Sequence, residues 1–167
     1  FVNPSQFDDL NDYFDYPRNY EEDIKSLEKI DADLLFLPYS KDIYPDGIKS
    51  QKTIYDYRNI LCDKFRPGHF DGVTTVVKLL FDLVDPDCAF FGEKDFQQLK
   101  LVQKITEQYN LSVLIKPCVS VRMLNGLSYS SRYKNFSFSQ ENIFNKIAKK
   151  IISSVLDLRK KIDIKIL

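Results

Sequence analysis

Cys88-Ala89-Phe90-Phe91-Gly92-Glu93-Lys94-Asp95-Phe96-Gln97-Gln98 is the stretch that decides the fold. A turn, Asp85-Pro86-Asp87, precedes it. Residues 88–91 then read as a short buried strand. Gly92 breaks that pattern, and three charged residues follow without a gap. From Phe96 the apolar residues recur at helical spacing, at Leu99, Val102 and Ile105. A strand that ends in glycine and passes into a helix is the usual ligand position of an open α/β sheet. The helix start offers partial positive charge and free N–H groups to a phosphate or carboxylate. Lys94 adds a full cation there, against the local dipole, and an anionic ligand supplies a reason for it. The competing reading is a solvated lysine in a first helical turn, of about equal weight on position alone.

Outward from this stretch, strands and helices alternate. Residues 73–84 carry an amphipathic helix with Val73, Val76, Val77, Leu80 and Val84 on one face, capped by Asp71. Residues 112–116 read as the next strand, and residues 34–37 as an earlier one, closed by Pro38. Phe1-Val2 reads as the last turn of a strand, with Asn3-Pro4 as a turn and Gln6 just past the strand end. Asp8, Asp9 and Asp12 read as a solvated loop, and Tyr16-Pro17-Arg18 as a rigid connector. Asn19 with Glu22 opens a helix burying Ile24, Leu27 and Ile30. Ser40 caps a single helical turn, and Tyr44-Pro45-Asp46-Gly47 is a turn. Residues 53–57 read as a strand, and 66–70 as a loop. Asn125-Gly126 is a turn, followed by a polar loop. Ser137 with Gln140 opens a helix burying Phe144, Ile147, Ala148, Ile151 and Val155. The alternation predicts an α/β fold, a mostly parallel sheet with crossover helices.

The chain has 167 residues, 44% of them hydrophobic, enough for one core and the beginning of a second. Lys+Arg and Asp+Glu balance at 24 each, so no overall field attracts nucleic acid or a membrane surface. No apolar run approaches membrane-spanning length. Cys62, Cys88 and Cys118 are far apart and read as reduced, buried thiols of a cytosolic protein. The chain opens at Phe1 inside an apolar run and closes after a helix-like segment, so both ends read as cut.

Beyond Lys94 the candidate residues are individually weak. Ser130-Ser131-Arg132 offers two hydroxyls and a guanidinium fork that suit a polyphosphate, although an ordinary polar loop is the commoner meaning. Gln6 and Gln98 suit a ligand with hydroxyl and carboxylate groups. His69, the only histidine, has no partner at triad spacing and reads as a loop residue with a local hydrogen bond. Glu22-Asp23 reads as first-turn acids before it reads as a cation site. There is no Walker loop and no Gly-x-Gly-x-x-Gly.

Together these pieces resemble the pantoate–β-alanine ligase (pantothenate synthetase) family. The resemblance rests on Phe1-Val2-Asn3-Pro4-Ser5-Gln6-Phe7, Tyr16-Pro17-Arg18, Ile43-Tyr44-Pro45-Asp46-Gly47 and Arg66-Pro67-Gly68-His69-Phe70. It continues through Phe91-Gly92-Glu93-Lys94-Asp95-Phe96-Gln97-Gln98 and Ser130-Ser131-Arg132, in family order. It implies a Rossmann-like nucleotidyltransferase domain at 1–118 and the start of a smaller C-terminal α+β lid domain at 119–167, in a cytoplasmic homodimer. It implies ATP-dependent condensation of pantoate with β-alanine through a pantoyl adenylate, with Mg²⁺ on ligands it does not identify. Gly92, Glu93, Lys94, Asp95, Val121, Tyr129, Ser130, Ser131 and Arg132 would bind ATP, with Lys94 catalytic. Gln6 and Gln98 would hold pantoate, and Gln6 also β-alanine. Departures fall at Leu124-Asn125-Gly126, Tyr129 and Tyr133-Lys134-Asn135, and concern the closing loop. The family's His-x-Gly-His signature belongs before Phe1, so the chain as it stands is expected to be inactive or nearly so. The alternatives are another nucleotidylyltransferase of the same superfamily, or a non-catalytic nucleotide-binding or dimerisation module.

Overall fold

The computed structural model describes residues 1–7, 9–49, 58–130, 133 and 136–161. They form two compact units, Phe1–Cys118 and Val119–Leu167. The strand expected at 53–57 lies outside the described residues.

The first unit is built on a parallel β-α-β crossover. Strand β1, Cys88–Gly92, passes through a 3₁₀ turn, Glu93–Asp95, into helix α6, Phe96–Gln108. The chain returns as strand β2, Leu114–Cys118. β1 and β2 pair in parallel, Cys88 beside Leu114 and Gly92 beside Cys118, so both strands point their C-terminal ends the same way. Parallel neighbours need such a crossover because no tight turn can join them. Helix α5, His69–Val84, leads into β1 and packs on α6.

The helical spacing identifies most of each buried face, but Val84 at the end of α5 and Phe96 at the start of α6 are exposed, and in β1, expected to be buried, Phe90 is exposed. Val73, Val76 and Val77 of α5 meet Leu101, Val102 and Ile105 of α6 in one core, joined by Ile43, Tyr44 and Phe70. Leu101, Val102 and Ile105 are fully buried, each worth about 1.5–3 kcal/mol. α5 begins at His69, two residues before the cap expected at Asp71. Gly68 stands at its N-cap with φ +83, a left-handed geometry that suits glycine. Asp71 instead pairs with Arg58 at 2.6 Å from the first turn.

The chain before α5 is mostly short helices. Asp9 caps α1, Leu10–Asp15, by accepting from the Asn11 N–H, so Asp9 and Asp12, expected in a solvated loop, belong to a helix start, while Asp8 lies outside the described residues. The capping box opens α2, Tyr20–Glu28, with the Asn19 amide 2.6 Å from the Glu22 carboxylate. Its apolar face is only half-covered, and Ile30 lies beyond it in solvent. α3, Ser40–Ile43, is capped at Tyr39, whose N–H donates to Asp42. α4, Leu61–Phe65, was not anticipated. Residues 34–37 are not a strand: they pair with no described strand and are exposed. Phe1-Val2 is likewise irregular. An apolar run becomes a strand only where a neighbour accepts its hydrogen bonds, and composition does not reveal that neighbour. β2 starts two residues later than the apolar spacing suggests, and Leu114 at its head is exposed.

In the second unit, Arg122 bridges Ser128 across the Asn125-Gly126 turn, where Gly126 has φ +84. Ser137 and Gln140 form the expected capping box, with Ser137 N–H donating to Gln140 at 2.8 Å. It opens α7, Phe138–Lys161. Of the face expected to be buried on α7, only Ala148 is buried; Phe144, Ile147, Ile151 and Val155 remain exposed. The cysteines are free, yet Cys62 and Cys118 are exposed and Cys88 is half-buried, so the expectation of buried thiols fails. No helix among the described residues is long and apolar enough to cross a membrane.

Candidate active site

The Gln6 corner is a closed polar network around a buried Asn3. The Asn3 amide donates to Gln6 Oε1 at 2.8 Å and to the Gly72 carbonyl at 3.2 Å. Its Oδ1 accepts from Ser5 Oγ at 2.9 Å and from the Tyr44 hydroxyl at 2.8 Å. One amide side chain thus ties the first turn of the chain to α3 and α5. Burial raises the Tyr44 pKa above its ordinary value, with the Ser5 and Asn3 hydrogen bonds acting in the opposite direction.

Gln6 ends the 3₁₀ turn Pro4–Gln6. Its carbonyl accepts from Arg66 Nη2 at 2.9 Å and meets His69 Nδ1 at 3.0 Å. His69 is therefore the first residue of a helix and not a loop residue, and its hydrogen bond is local in space while spanning 63 positions of sequence. Sequence reading missed Asn3, Tyr44, Arg66 and Gly72 as parts of this corner. The usable signal was that Asn3, Tyr44 and Arg66 lie in motifs that carry the resemblance, as Gln6 does; Gly72 lies outside them and had no such signal.

The second cluster is the end of β1. Gly92, Glu93, Lys94 and Asp95 follow one another in solvent, and Gln98 is half-buried in the first turn of α6. Lys94 lies in the 3₁₀ turn ahead of α6 and has no ion-pair partner among the described residues. Asp95 stands at the N-cap of α6 without a side-chain cap bond, so no side chain at the cap competes for the helix's first turn. Beside Gln98, Gln97 is buried and has a structural task. Its Nε2 donates to the Ile60 carbonyl at 3.0 Å, and its Oε1 accepts from the Cys62 N–H at 2.9 Å. The residue between them, Leu61, has φ +47, a strained conformation for a leucine that the clamp holds in place.

The remaining predicted residues belong to the second unit. Val121 and Tyr129 are exposed and Ser130 is half-buried. Ser131 and Arg132 lie outside the described residues. An open groove of about 800 Å³ is lined by Asn125, Tyr129, Asn145, Lys146 and Lys149 among others. No group of three or more His, Cys, Asp or Glu residues suited to a metal occurs among the described residues. The Glu22-Asp23 pair sits in the first turn of α2, as its plain reading expects.

The family model for pantoate-β-alanine ligase matches residues 1–164. The pantothenate synthetase of Shouchella clausii is 44% identical over 147 residues, covering 88% of this chain and 49% of that protein. The enzyme of Buchnera aphidicola is 41% identical over 172 residues, covering 97% of this chain and 60% of that protein. Among solved structures, the Francisella tularensis pantoate-β-alanine ligase, complexed with β-γ ATP and β-alanine, superposes with a TM-score of 0.86 at 41% identity. That match covers 89% of this chain and 57% of that one. The Thermus thermophilus pantothenate synthetase gives 0.85 at 37% identity, covering 96% and 57%. The chain spans about half the length of the first of these curated relatives. These likenesses bear out the expected α/β, Rossmann-like nucleotidyltransferase fold.

Proposed function

The chain belongs to the pantoate–β-alanine ligase family, and from that premise we propose that its gene product condenses pantoate with β-alanine at the expense of ATP. In the proposed reaction a pantoate carboxylate oxygen attacks the α-phosphorus of ATP and pyrophosphate leaves. The neutral β-alanine amine then attacks the acyl carbon of the pantoyl adenylate, the acyl C–O bond to phosphate breaks, AMP leaves, and the proton shed by the new amide nitrogen passes to solvent. The observation that carries this reading is the family match over residues 1–164, which contains both the Gln6 corner and the 92–98 stretch.

The proposed division of labour follows from the chemistry of the two clusters. Gln6 and Gln98 each offer an amide donor and acceptor to the hydroxyls and carboxylate of pantoate, and Gln6 also serves β-alanine. Gly92, Glu93, Lys94 and Asp95 line the ATP site in this reading. Lys94 places a full positive charge where the α-phosphate gains negative charge during attack, which is electrostatic stabilisation with little proton chemistry from the protein. Mg²⁺ bound through phosphate oxygens needs only one or two protein carboxylates, and Glu93 and Asp95 are of that type. When bound, it would neutralise phosphate charge. Val121, Tyr129, Ser130, Ser131 and Arg132 complete the ATP contacts in this reading, which assigns residues 1–118 to the substrate-binding domain and 119–167 to the smaller C-terminal domain. A cytoplasmic homodimer acting on small molecules, without nucleic acid or membrane, completes the proposal.

The test is the full gene product supplied with ATP, pantoate and β-alanine, with AMP as the readout. Pantoate-dependent AMP is expected, and Lys94→Ala is expected to lower kcat about 10²–10³-fold with an unchanged melting temperature. Absence of AMP above background, or full activity in Lys94→Ala, overturns the reading.

A further inference from the structure

We propose that His69, together with Arg66, is a positioning residue that aims Gln6 at the substrate by holding its backbone carbonyl. The inference rests on the reading of Gln6 as a pantoate contact. Among the described residues, the 3₁₀ turn that carries Gln6 has two backbone bonds of its own at this point, Gln6 N–H to the Asn3 carbonyl and Phe7 N–H to the Pro4 carbonyl, both long at 3.3 Å. Short 3₁₀ turns have poor hydrogen-bond geometry, so the turn needs an outside anchor. It receives one at each end of Gln6. Asn3 holds the side-chain oxygen at 2.8 Å. Arg66 Nη2 and His69 Nδ1 hold the carbonyl at 2.9 and 3.0 Å. Two donors on one carbonyl fix the peptide plane, and with it the direction in which the Gln6 side chain leaves the backbone.

The chemistry also assigns the histidine a form. A carbonyl only accepts, so Nδ1 must carry the proton. Nε2 is then the lone-pair nitrogen, and it lies 3.4 Å from Arg66 Nη1, a donor. His69 is thus a neutral link between a guanidinium and a carbonyl, with both ring nitrogens engaged. That arrangement suits holding and leaves no free nitrogen for taking a proton from substrate.

Three variants of the full gene product separate this role from a merely structural one. In His69→Asn the amide Nδ2 takes the place of the imidazole Nδ1 and keeps the donor to Gln6. In His69→Gln the donor sits one bond farther out, and in His69→Ala it is gone. The expected result is a KM for pantoate raised about tenfold in His69→Gln and His69→Ala, with KM for ATP unchanged, and recovery to within a few-fold in His69→Asn. Equal loss in the Asn and Gln variants, a parallel rise in KM for ATP, or no effect in any of them overturns the proposal. The ¹⁵N shifts of the His69 ring in the wild-type protein give a readout independent of turnover. The Nδ1–H tautomer is expected, and the Nε2–H tautomer or an imidazolium overturns the clamp. Wild-type protein that makes no pantoate-dependent AMP but shows the Nδ1–H tautomer refutes the proposed function while leaving the clamp standing.

Discussion

Gly72 and Gly92 mark opposite surroundings at the two proposed substrate sites. A Cβ added to Gly72 would lie 2.3 Å from the Ser5 carbonyl oxygen, whereas one added to Gly92 would meet nothing within 4 Å. Around Gly72 the protein has already filled the space with itself. Asn3, Ser5, Gln6 and Tyr44 satisfy one another, and no buried side-chain nitrogen or oxygen among the described residues lacks a partner. Around Gly92 the protein presents a glycine, a lysine and two carboxylates to solvent. The first corner fixes geometry before any ligand arrives. The second leaves open space beside Lys94, where the proposed reading puts a phosphate. Preorganised polar groups are worth most where they already point at the reacting atoms, so in the proposed function the Gln6 corner would set orientation and Lys94 at the β1 end would supply positive charge.

The largest expected effect on stability comes from adding a methyl at Gly72, where no space is left for it. Gly72→Ala gains the better helix propensity of alanine, up to about 1 kcal/mol. It also drives a methyl into backbone, which has no rotamer through which to retreat. Overpacking of this kind costs about 1–3 kcal/mol or more and should win. Thermal denaturation should show a melting temperature lower by roughly 2–4 °C for each net kcal/mol lost. An unchanged melting temperature would mean the Asn3 network is loose, and the contrast with Gly92 would collapse.

A smaller effect tests the electrostatics of the same corner. Tyr44 holds its proton more tightly in the folded chain, because burial outweighs the two hydrogen bonds that favour ionisation. Below the ordinary tyrosine pKa of about 10 both folded and unfolded chains are protonated, and the contribution of Tyr44 is fully present. Above it the unfolded chain releases the proton first. Stability is then lost as pH rises from about 10 through the raised folded value. Tyr44→Phe should start about 0.5–1.5 kcal/mol less stable at neutral pH and show a shallower fall between about pH 9 and 11. Denaturant titrations across that range measure both, and parallel curves for the two proteins would refute burial as the cause.

These two corners were unequally legible in the sequence. The β1 end is a local signal: four apolar residues, a glycine, three charges and a helical repeat, all within reach of one reading window. The Gln6 corner joins positions 3, 5, 6, 44, 66, 69 and 72, and no periodicity connects them. Only the resemblance placed those motifs in one protein, and only the fold brought them together. Residues 34–37 failed for a related reason, since an apolar run reports burial or pairing without saying whether a partner is there. The same run of reasoning succeeded for the middle of α5 and α6, though not at Val84 and Phe96 on their ends, because each helix carries its own hydrogen bonds and needs only one apolar face to declare itself.

The smallest expected change in stability is also the sharpest test of the contrast. Gly92 has φ −69 and ψ +133, a conformation alanine adopts without strain, and its side-chain direction is empty. Gly92→Ala should therefore stabilise the fold by about 0.4–1 kcal/mol, since alanine loses less chain entropy than glycine on folding. If the empty direction is where ATP phosphate approaches the backbone, the same methyl should obstruct binding. The expected outcome is opposite in sign for the two readouts: a higher melting temperature together with a raised KM for ATP and an unchanged KM for pantoate. Gly72→Ala should lower stability and disturb pantoate with it, because fold and orientation share one network there. A Gly92→Ala protein that is more stable and binds ATP normally would show that the space beside β1 is simply solvent. Lys94 would then have to meet its anion from another side of the turn.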